Sequence, residues 1–466
     1  LFELQASIFI KFYLGLFYLY YYNLYFKVKL NMDTIFAPIN SILKASVISI
    51  RISGCKALEF YNIFSIKNNI TPRYSTLCAL THNSKLIDKA LVVYYKAPNS
   101  FTGEDIIEVS LHGSLSIYKQ VIEILTNIDG YRFAEAGEFT KRAFLNNKLD
   151  LLQAEAVNDL VNANTVKQSD KALEQLEGKN SNYFIKLREK LIEVRAYIEA
   201  FIDFPDEEIP ISKLAEINNI VKSIKKDFIN LIKNFKKEKA IIHGIQISII
   251  GPVNAGKSSL INYLAGKDVS IVSNIAGTTR DVIEVNLDLS GYLVTLIDTA
   301  GIRVKSKDEI EKIGIEKTKE KANNSDLKII LLSVDQLDEH ENYKEYIDEN
   351  SLLVINKSDL SSNCSLTNAL TISVKHQKNL DLLLNRLQSL IELQYNSDNN
   401  VSINKERHYI IINEIIAELN KVDLNGDLIF TAEILRRCTD LLGKITGIID
   451  IEDVLDKIFT SFCIGK

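Results

Sequence analysis

A chain of 466 residues, 46% hydrophobic and 25% charged, is long enough for roughly two to four domains and excludes a disordered or fibrous protein. Its formal charge of −5 excludes a general cationic field, so any nucleic-acid partner requires a local basic patch. Five cysteines, Cys55, Cys78, Cys364, Cys438 and Cys463, form no CxxC pair; this argues against a zinc ribbon or disulfide framework and for a reducing, cytoplasmic compartment.

Residues 1–31 include the Tyr-rich run FYLGLFYLYYYNLYF, which has no small-residue cleavage site and is short for a membrane span. The only Met in the chain is Met32. We therefore expect the natural start there and read 1–31 as a mis-assigned extension, with a membrane-associating leader as the alternative and no stable membrane association. Residues 32–148 mix β-branched runs such as VISIRIS and ALVVYY with Gly and Pro, which predicts an α+β domain. From 149 to 243 apolar residues recur three and four apart, predicting helices broken at FPDEEIP by Pro205 and Pro210. Between 244 and 393 the apolar runs IQISII, YLVTLID, LKIILLSV and LLVIN alternate with helix-like stretches, as in a doubly wound sheet. Residues 394–466 open with a polar linker and return to helical periodicity. The expected fold is a multidomain α/β protein: an α+β N-terminal domain, then an all-α domain whose two parts flank an inserted sheet domain.

The segment from Gly251 to Ser258, GPVNAGKS, satisfies GxxxxGK[ST] between a predicted strand and a predicted helix. Backbone N–H groups of such a loop face phosphate oxygens, Lys257 reaches the β- and γ-phosphates, and the Ser258 hydroxyl ligates Mg²⁺. Asp298-Thr299-Ala300-Gly301 closes the strand YLVTLID, where an acid can hold the metal's water shell. Gly277-Thr278-Thr279-Arg280-Asp281 lies between them and offers a Thr hydroxyl to the metal. Asn356-Lys357-Ser358-Asp359 follows the strand SLLVI. Its Asp359 carboxylate can accept from the ring N–H and exocyclic amine of guanine, so GTP is favoured over ATP. Ser373-Val374-Lys375 either donates a backbone N–H to the guanine carbonyl or is a surface turn. Ile302 follows Gly301 where many GTPases place a water-orienting Gln. Another group must therefore position water, and the side-chain oxygen of Asn254, with oxygens from 273 to 278, could ligate an assisting monovalent cation.

Beyond these motifs the chain contains DTIFA, RISG, FTGEDIIEVSLHG, AGEFTKRAFLNNKLDLLQAEAV, FIDFPDEEIP, EIEKIGIE and the terminal FTSFCIGK. From Met32 to Lys466 it resembles the MnmE (TrmE) family of tRNA modification GTPases. The resemblance implies a homodimer formed through N-terminal folate-binding domains and K⁺-stimulated GTP hydrolysis by paired G domains. It also implies an FAD-dependent partner, the flavoprotein MnmG (GidA), with which an aminomethyl-type group is added to C5 of the wobble uridine of certain tRNAs. Its GTP contacts fall on Asn254, Ala255, Gly256, Lys257, Ser258 and Ser259, on Ser273, Asn274, Ile275, Ala276, Gly277, Thr278 and Thr279, on Asp298, Thr299, Ala300 and Gly301, and on Asn356, Lys357 and Asp359. Mg²⁺ falls on Ser258 and Thr279, and K⁺ on Asn254, Ser273, Ile275 and Thr278. The water-orienting acid falls on Glu311, which by itself reads as a solvated charge in KSKDEIEK. Contacts to 5-formyltetrahydrofolate or a related folate fall on Arg51, Glu108, Lys148 and Lys466. Cys463, in the terminal CIGK, is either a reactive thiol or a small buried residue.

The chain departs from the family pattern at SILKASVIS, where a Gly-rich stretch is usual, at Ser114, where a second Gly is usual, and at Val253, where Pro is usual. Two other functions fit the G-domain motifs: a ribosome-assembly GTPase of the Era or Der type, and a GTP-gated scaffold whose hydrolysis times partner release.

Overall fold

A computed structural model describes residues 33–43, 45–68, 71–204, 211–267, 270–271, 284–298, 325–361, 366, 368–395, 401–449, 455 and 458–466. The chain divides into two compact units, one running to Asn158 and resuming at Thr446–Lys466, the other spanning Asp159–Ile445.

The first unit is built on a six-stranded sheet of order β3-β4-β5-β2-β1-β6, with β1 Thr34–Pro38, β2 Val47–Ser53, β3 Thr76–His82, β4 Lys85–Tyr95, β5 Ile106–His112 and β6 Tyr131–Phe133. Alternation along the strands sorts the two faces. Ile48, Ile50 and Ile52 of β2 and Ile107, Val109 and Leu111 of β5 are buried in one core with Tyr118, Val121 and Leu125 of the helix Leu115–Thr126. The intervening residues Ser49, Arg51, Glu108 and Ser110 therefore share the other face. There the helix Glu138–Leu145 packs Phe139 against Ile35, Ala37 and Ala134. The C-terminal segment joins this unit: Leu455, Phe459 and Phe462 pack on Leu151 and Ala154, and Ile464 bridges to Ala136.

The second unit holds a seven-stranded sheet of order β13-β12-β11-β7-β10-β9-β8, with β7 Ile245–Ile250, β8 Ser270–Ile271, β9 Glu284–Leu289, β10 Tyr292–Asp298, β11 Leu327–Ser333, β12 Ser351–Asn356 and β13 Leu370–Thr371. The five strands from β13 to β10 run parallel, and β9 is antiparallel to both of its neighbours. The central strands are nearly continuous apolar runs, as a sheet covered on both faces requires. The long helices Lys179–Asp203 and Ile211–His243 lie on either side of FPDEEIP, and Glu406–Leu419 and Leu428–Thr446 follow the sheet. The two helical stretches pack together: the Phe235 and Tyr409 rings are 4.6 Å apart, and Arg188 Nε donates to the Thr439 carbonyl at 3.3 Å. Helix Ile211–His243 passes into β7 through a single residue, Gly244, whose φ of +93° and tight approach to Leu293 favour glycine. Among the described residues no helix is long and apolar enough to cross a membrane.

Candidate nucleotide site

The carboxyl edge of the parallel sheet gathers the motif residues. In β10, paired in parallel with β7, Asp298 is level with Ile249, and Asn356 of β12 is level with Ser333 of β11. The backbone thus brings Asp298 and Asn356 to the edge from which the phosphate loop emerges, where ligands of open α/β sheets bind.

Two glycines in the loop are required by space. A Cβ on Gly251 would lie 1.9 Å from the Leu331 carbonyl oxygen, and one on Gly256, at φ +100°, would lie 2.3 Å from Asn356 Nδ2. Asn254 is exposed at φ +66°. Helix Lys257–Ala265 starts at Lys257, so its first N–H groups and its dipole face the space an anion would fill. Lys257 is 6% exposed and its Nζ donates to the carbonyls of Gly251 at 2.6 Å and Pro252 at 2.7 Å. Ser258 and Ser259 follow as exposed residues.

Asn356 is 4% exposed and hydrogen-bonds at both ends of its amide: Nδ2 donates to the Ala255 carbonyl at 2.9 Å, and Oδ1 accepts from the Val374 N–H at 3.1 Å. Ser373 Oγ donates to Asp359 Oδ1 at 2.6 Å. That hydroxyl is the main reason the Asp359 carboxyl is held below its usual range, with His376 and Lys375 adding to the effect. The 373–375 segment is part of a surface turn closed by the backbone pairing of Ser373 with Lys378, and its Val374 N–H and Ser373 hydroxyl also hold the guanine motif. Lys357, at φ +59°, reaches Asp335 at 3.4 Å.

Ser273, Asn274, Ile275, Ala276, Gly277, Thr278, Thr279, Thr299, Ala300, Gly301 and Glu311 lie outside the described residues, as does the side chain of Asp298. Of the expected metal ligands, Ser258 and Asn254 are described. Both present oxygen donors, which suit hard cations such as Mg²⁺ and K⁺.

The residues assigned to folate lie in the first unit. Arg51 and Glu108 face each other across β2 and β5, with Arg51 Nε donating to Glu108 Oε1 at 2.8 Å. The guanidinium sits 5.2 Å from the Phe101 ring centre and 5.5 Å from that of Phe139, whose backbone N–H donates to the Lys466 carbonyl at 3.1 Å. Lys148 Nζ donates to the Pro98 carbonyl at 2.9 Å. The Arg51 charge is thus met by Glu108 and by two rings, of which Phe139 is buried and Phe101 exposed. Cys463 is exposed, which removes the reading of it as a small buried residue.

Sequence reasoning missed a buried ion network in this unit. Arg142, 1% exposed, donates to Asp33 at 2.8 Å, Glu138 at 3.1 Å and Glu104 at 3.2 Å. Arg132 donates to the same Asp33 and Glu138. Burial opposes ionisation of Glu138, but the Arg132 hydrogen bonds, the Glu135 N–H and the Arg142 charge outweigh it and hold the carboxyl low. AGEFTKRAF was the one signal available, since it places Glu138 and Arg142 one helical turn apart.

Two family models match the chain: "MnmE helical domain" over residues 151–463 and "GTP-binding protein TrmE N-terminus" over residues 34–148. The tRNA modification GTPase MnmE of Rickettsia bellii (strain OSU 85-389) is 42% identical over 445 residues, 93% of this chain and 100% of that protein. MnmE of Rickettsia prowazekii (strain Madrid E) is 41% identical over the same shares. A solved structure of Era in complex with MgGDPNP and ribosomal RNA matches 31% of this chain and 56% of that chain at 26% identity and a TM-score of 0.25.

Proposed function

The chain belongs to the MnmE family of tRNA modification GTPases, and on that premise we propose that its GTP hydrolysis drives modification of the wobble uridine of certain tRNAs. The protein is a GTP-hydrolysing enzyme of tRNA modification, binding GTP with Mg²⁺ and acting on tRNA. The observation that most supports the nucleotide assignment is the hydrogen bond from Asn356 to Ala255, which holds the phosphate loop and the guanine motif together at one sheet edge.

On this reading Lys257 exchanges the Gly251 and Pro252 carbonyls for β- and γ-phosphate oxygens. Asp359, ionised at neutral pH, accepts from guanine. Ser258 and Thr279 would hold Mg²⁺, and Asn254, Ser273, Ile275 and Thr278 would hold K⁺; the two cations supply positive charge against the charge that develops on the phosphates. Because Ile302 cannot orient water, Glu311 takes that role. The G domains pair during hydrolysis, and the N-terminal domains form the homodimer.

The modification half of the proposal places a formylated folate against Arg51, Glu108, Lys148 and Lys466, as donor of the one-carbon unit. An FAD-dependent partner, MnmG (GidA), completes the addition of the aminomethyl-type group at C5. The exposed Phe101 ring beside Arg51 offers a flat ligand an aromatic surface there. The ribosome-assembly alternative finds no support in residues 34–148 or 151–463, both of which match models of this family. Nucleoside analysis of tRNA from cells lacking the protein tests the proposal: the C5 substituent of the wobble uridine should disappear, and an unchanged wobble uridine overturns it.

A further inference from the structure

With a net charge of −5, this chain cannot draw an RNA by its overall field, so contact with a phosphate backbone needs a concentrated cationic surface. The helix Ile211–His243 carries one. It has eight lysines against three acids, Glu216, Asp227 and Glu238. At about 100° per residue, Lys222, Lys225, Lys226, Lys233, Lys236 and Lys237 fall within an arc of about 120°, and the three acids lie outside it. The arc is opposite the buried face formed by Ile217, Ile224, Phe228, Leu231 and Phe235, so it looks into solvent. From Lys222 to Lys237 the stripe is about 22 Å long at 1.5 Å per residue, enough to meet several phosphates.

Its spacing is unlike that of an ordinary solvated helix. Lys222 has like charges three and four residues on, at Lys225 and Lys226, and Lys233 has them at Lys236 and Lys237; such pairs cost helix stability. None of the six has an acid three or four residues away. Among the described residues Lys222, Lys225, Lys226, Lys233 and Lys237 make no ion pair, whereas the lysines off the stripe do: Lys213 with Glu216 and Lys239 with Glu406. Lys236 lies close enough to Asp326 to act on its carboxyl.

We propose that this lysine stripe on the helix Ile211–His243 is the surface on which the phosphate backbone of tRNA docks, as a sequence-independent electrostatic contact. The inference rests on the reading of this chain as a tRNA-modifying enzyme. It is tested by titrating the full-length protein into fluorescently labelled tRNA between about 50 and 200 mM salt, the range over which phosphate contacts show themselves. Three triple variants are compared: K222E/K226E/K233E, the charge-conserving K222R/K226R/K233R, and K85E/K119E/K344E, which makes the same change in net charge on exposed lysines elsewhere.

The stripe reversal should weaken tRNA binding at least tenfold and lower the slope of log affinity against log salt by roughly one per lysine that meets a phosphate. Its tRNA-free GTPase rate should stay at the native value, which reports an intact fold. The Arg triple should bind as the native protein does, and the off-stripe triple should lose less than the stripe reversal. Native-like tRNA affinity of the stripe reversal overturns the inference and leaves the enzyme reading intact. So does a loss confined to vesicles of anionic phosphatidylglycerol, which would make the stripe a membrane surface. If the native protein itself binds no tRNA, the inference falls together with direct tRNA contact by this chain.

Discussion

Asn356 donates its side-chain N–H to the Ala255 carbonyl at 2.9 Å, so the residue read from the sequence as a guanine contact also ties the guanine loop to the phosphate loop. Base recognition and phosphate recognition are therefore coupled through one buried amide.

Replacing Asn356 with Ala removes the partners of the Ala255 carbonyl and the Val374 N–H at once. Leaving such groups without their partner costs about 1–3 kcal/mol. GTP and GDP affinity should fall together, with a lower melting temperature, in nucleotide titration and thermal unfolding. Native affinity would mean that the bridge is dispensable.

Gly256→Ala places a methyl group 2.3 Å from Asn356 Nδ2 at a φ of +100°. Either Asn356 moves or the loop does, and each route spoils the phosphate cradle. Nucleotide binding should be lost while the far-UV circular dichroism stays close to native, since the fault is local to one loop.

Cation dependence tests Asn254. Exchanging K⁺ for Na⁺ should slow GTP hydrolysis sharply, and Asn254→Ala should abolish the difference between the two salts. Equal rates of the native enzyme in both salts would remove K⁺ from the mechanism.

Glu311→Ala should retain GTP affinity and lose turnover, the pattern of a group acting on the transition state alone. Weakened GTP binding with normal turnover would instead give Glu311 a structural role.

The ion network around Arg142 predicts a particular response to acid. In Asp33, as in Glu138, burial works against the charge and the arginines overcome it, so both carboxyls titrate below their ordinary range. Because the folded value is the lower one, their stabilisation is complete above about pH 5 and is lost as pH falls through the folded values. Arg142→Met strands buried carboxylates and should cost about 3–5 kcal/mol at neutral pH. That deficit should shrink as the pH is lowered and the carboxyls take up protons. Denaturant unfolding at about pH 7 and again at about pH 3.5, below the ordinary carboxylate range, measures both effects, and a deficit independent of pH would contradict this account.

The strand-loop-helix of the phosphate site was legible in the sequence because its requirements are local: two close-packed glycines, a lysine and a hydroxyl in eight consecutive residues. The alternation in VISIRIS and IIEVSLH likewise puts Arg51 and Glu108 on the face opposite Ile48, Ile50, Ile52, Ile107, Val109 and Leu111. Their pairing needed the β2–β5 register, which no local pattern encodes. The Arg142 network was illegible for the same reason, since Asp33 is 109 residues away. The hydrogen bond from Val374 N–H to Asn356 was not legible because its acceptor arrives from another strand.

Helix Ile211–His243 is separated from β7 by Gly244 alone, and β7 ends where the phosphate loop begins. No slack chain lies between the lysine-bearing helix and the residues that cradle phosphate. A load applied to that helix has a single pivot in which to dissipate before it pulls on the strand, so the helix is geared to the nucleotide site much as a crank is to a shaft.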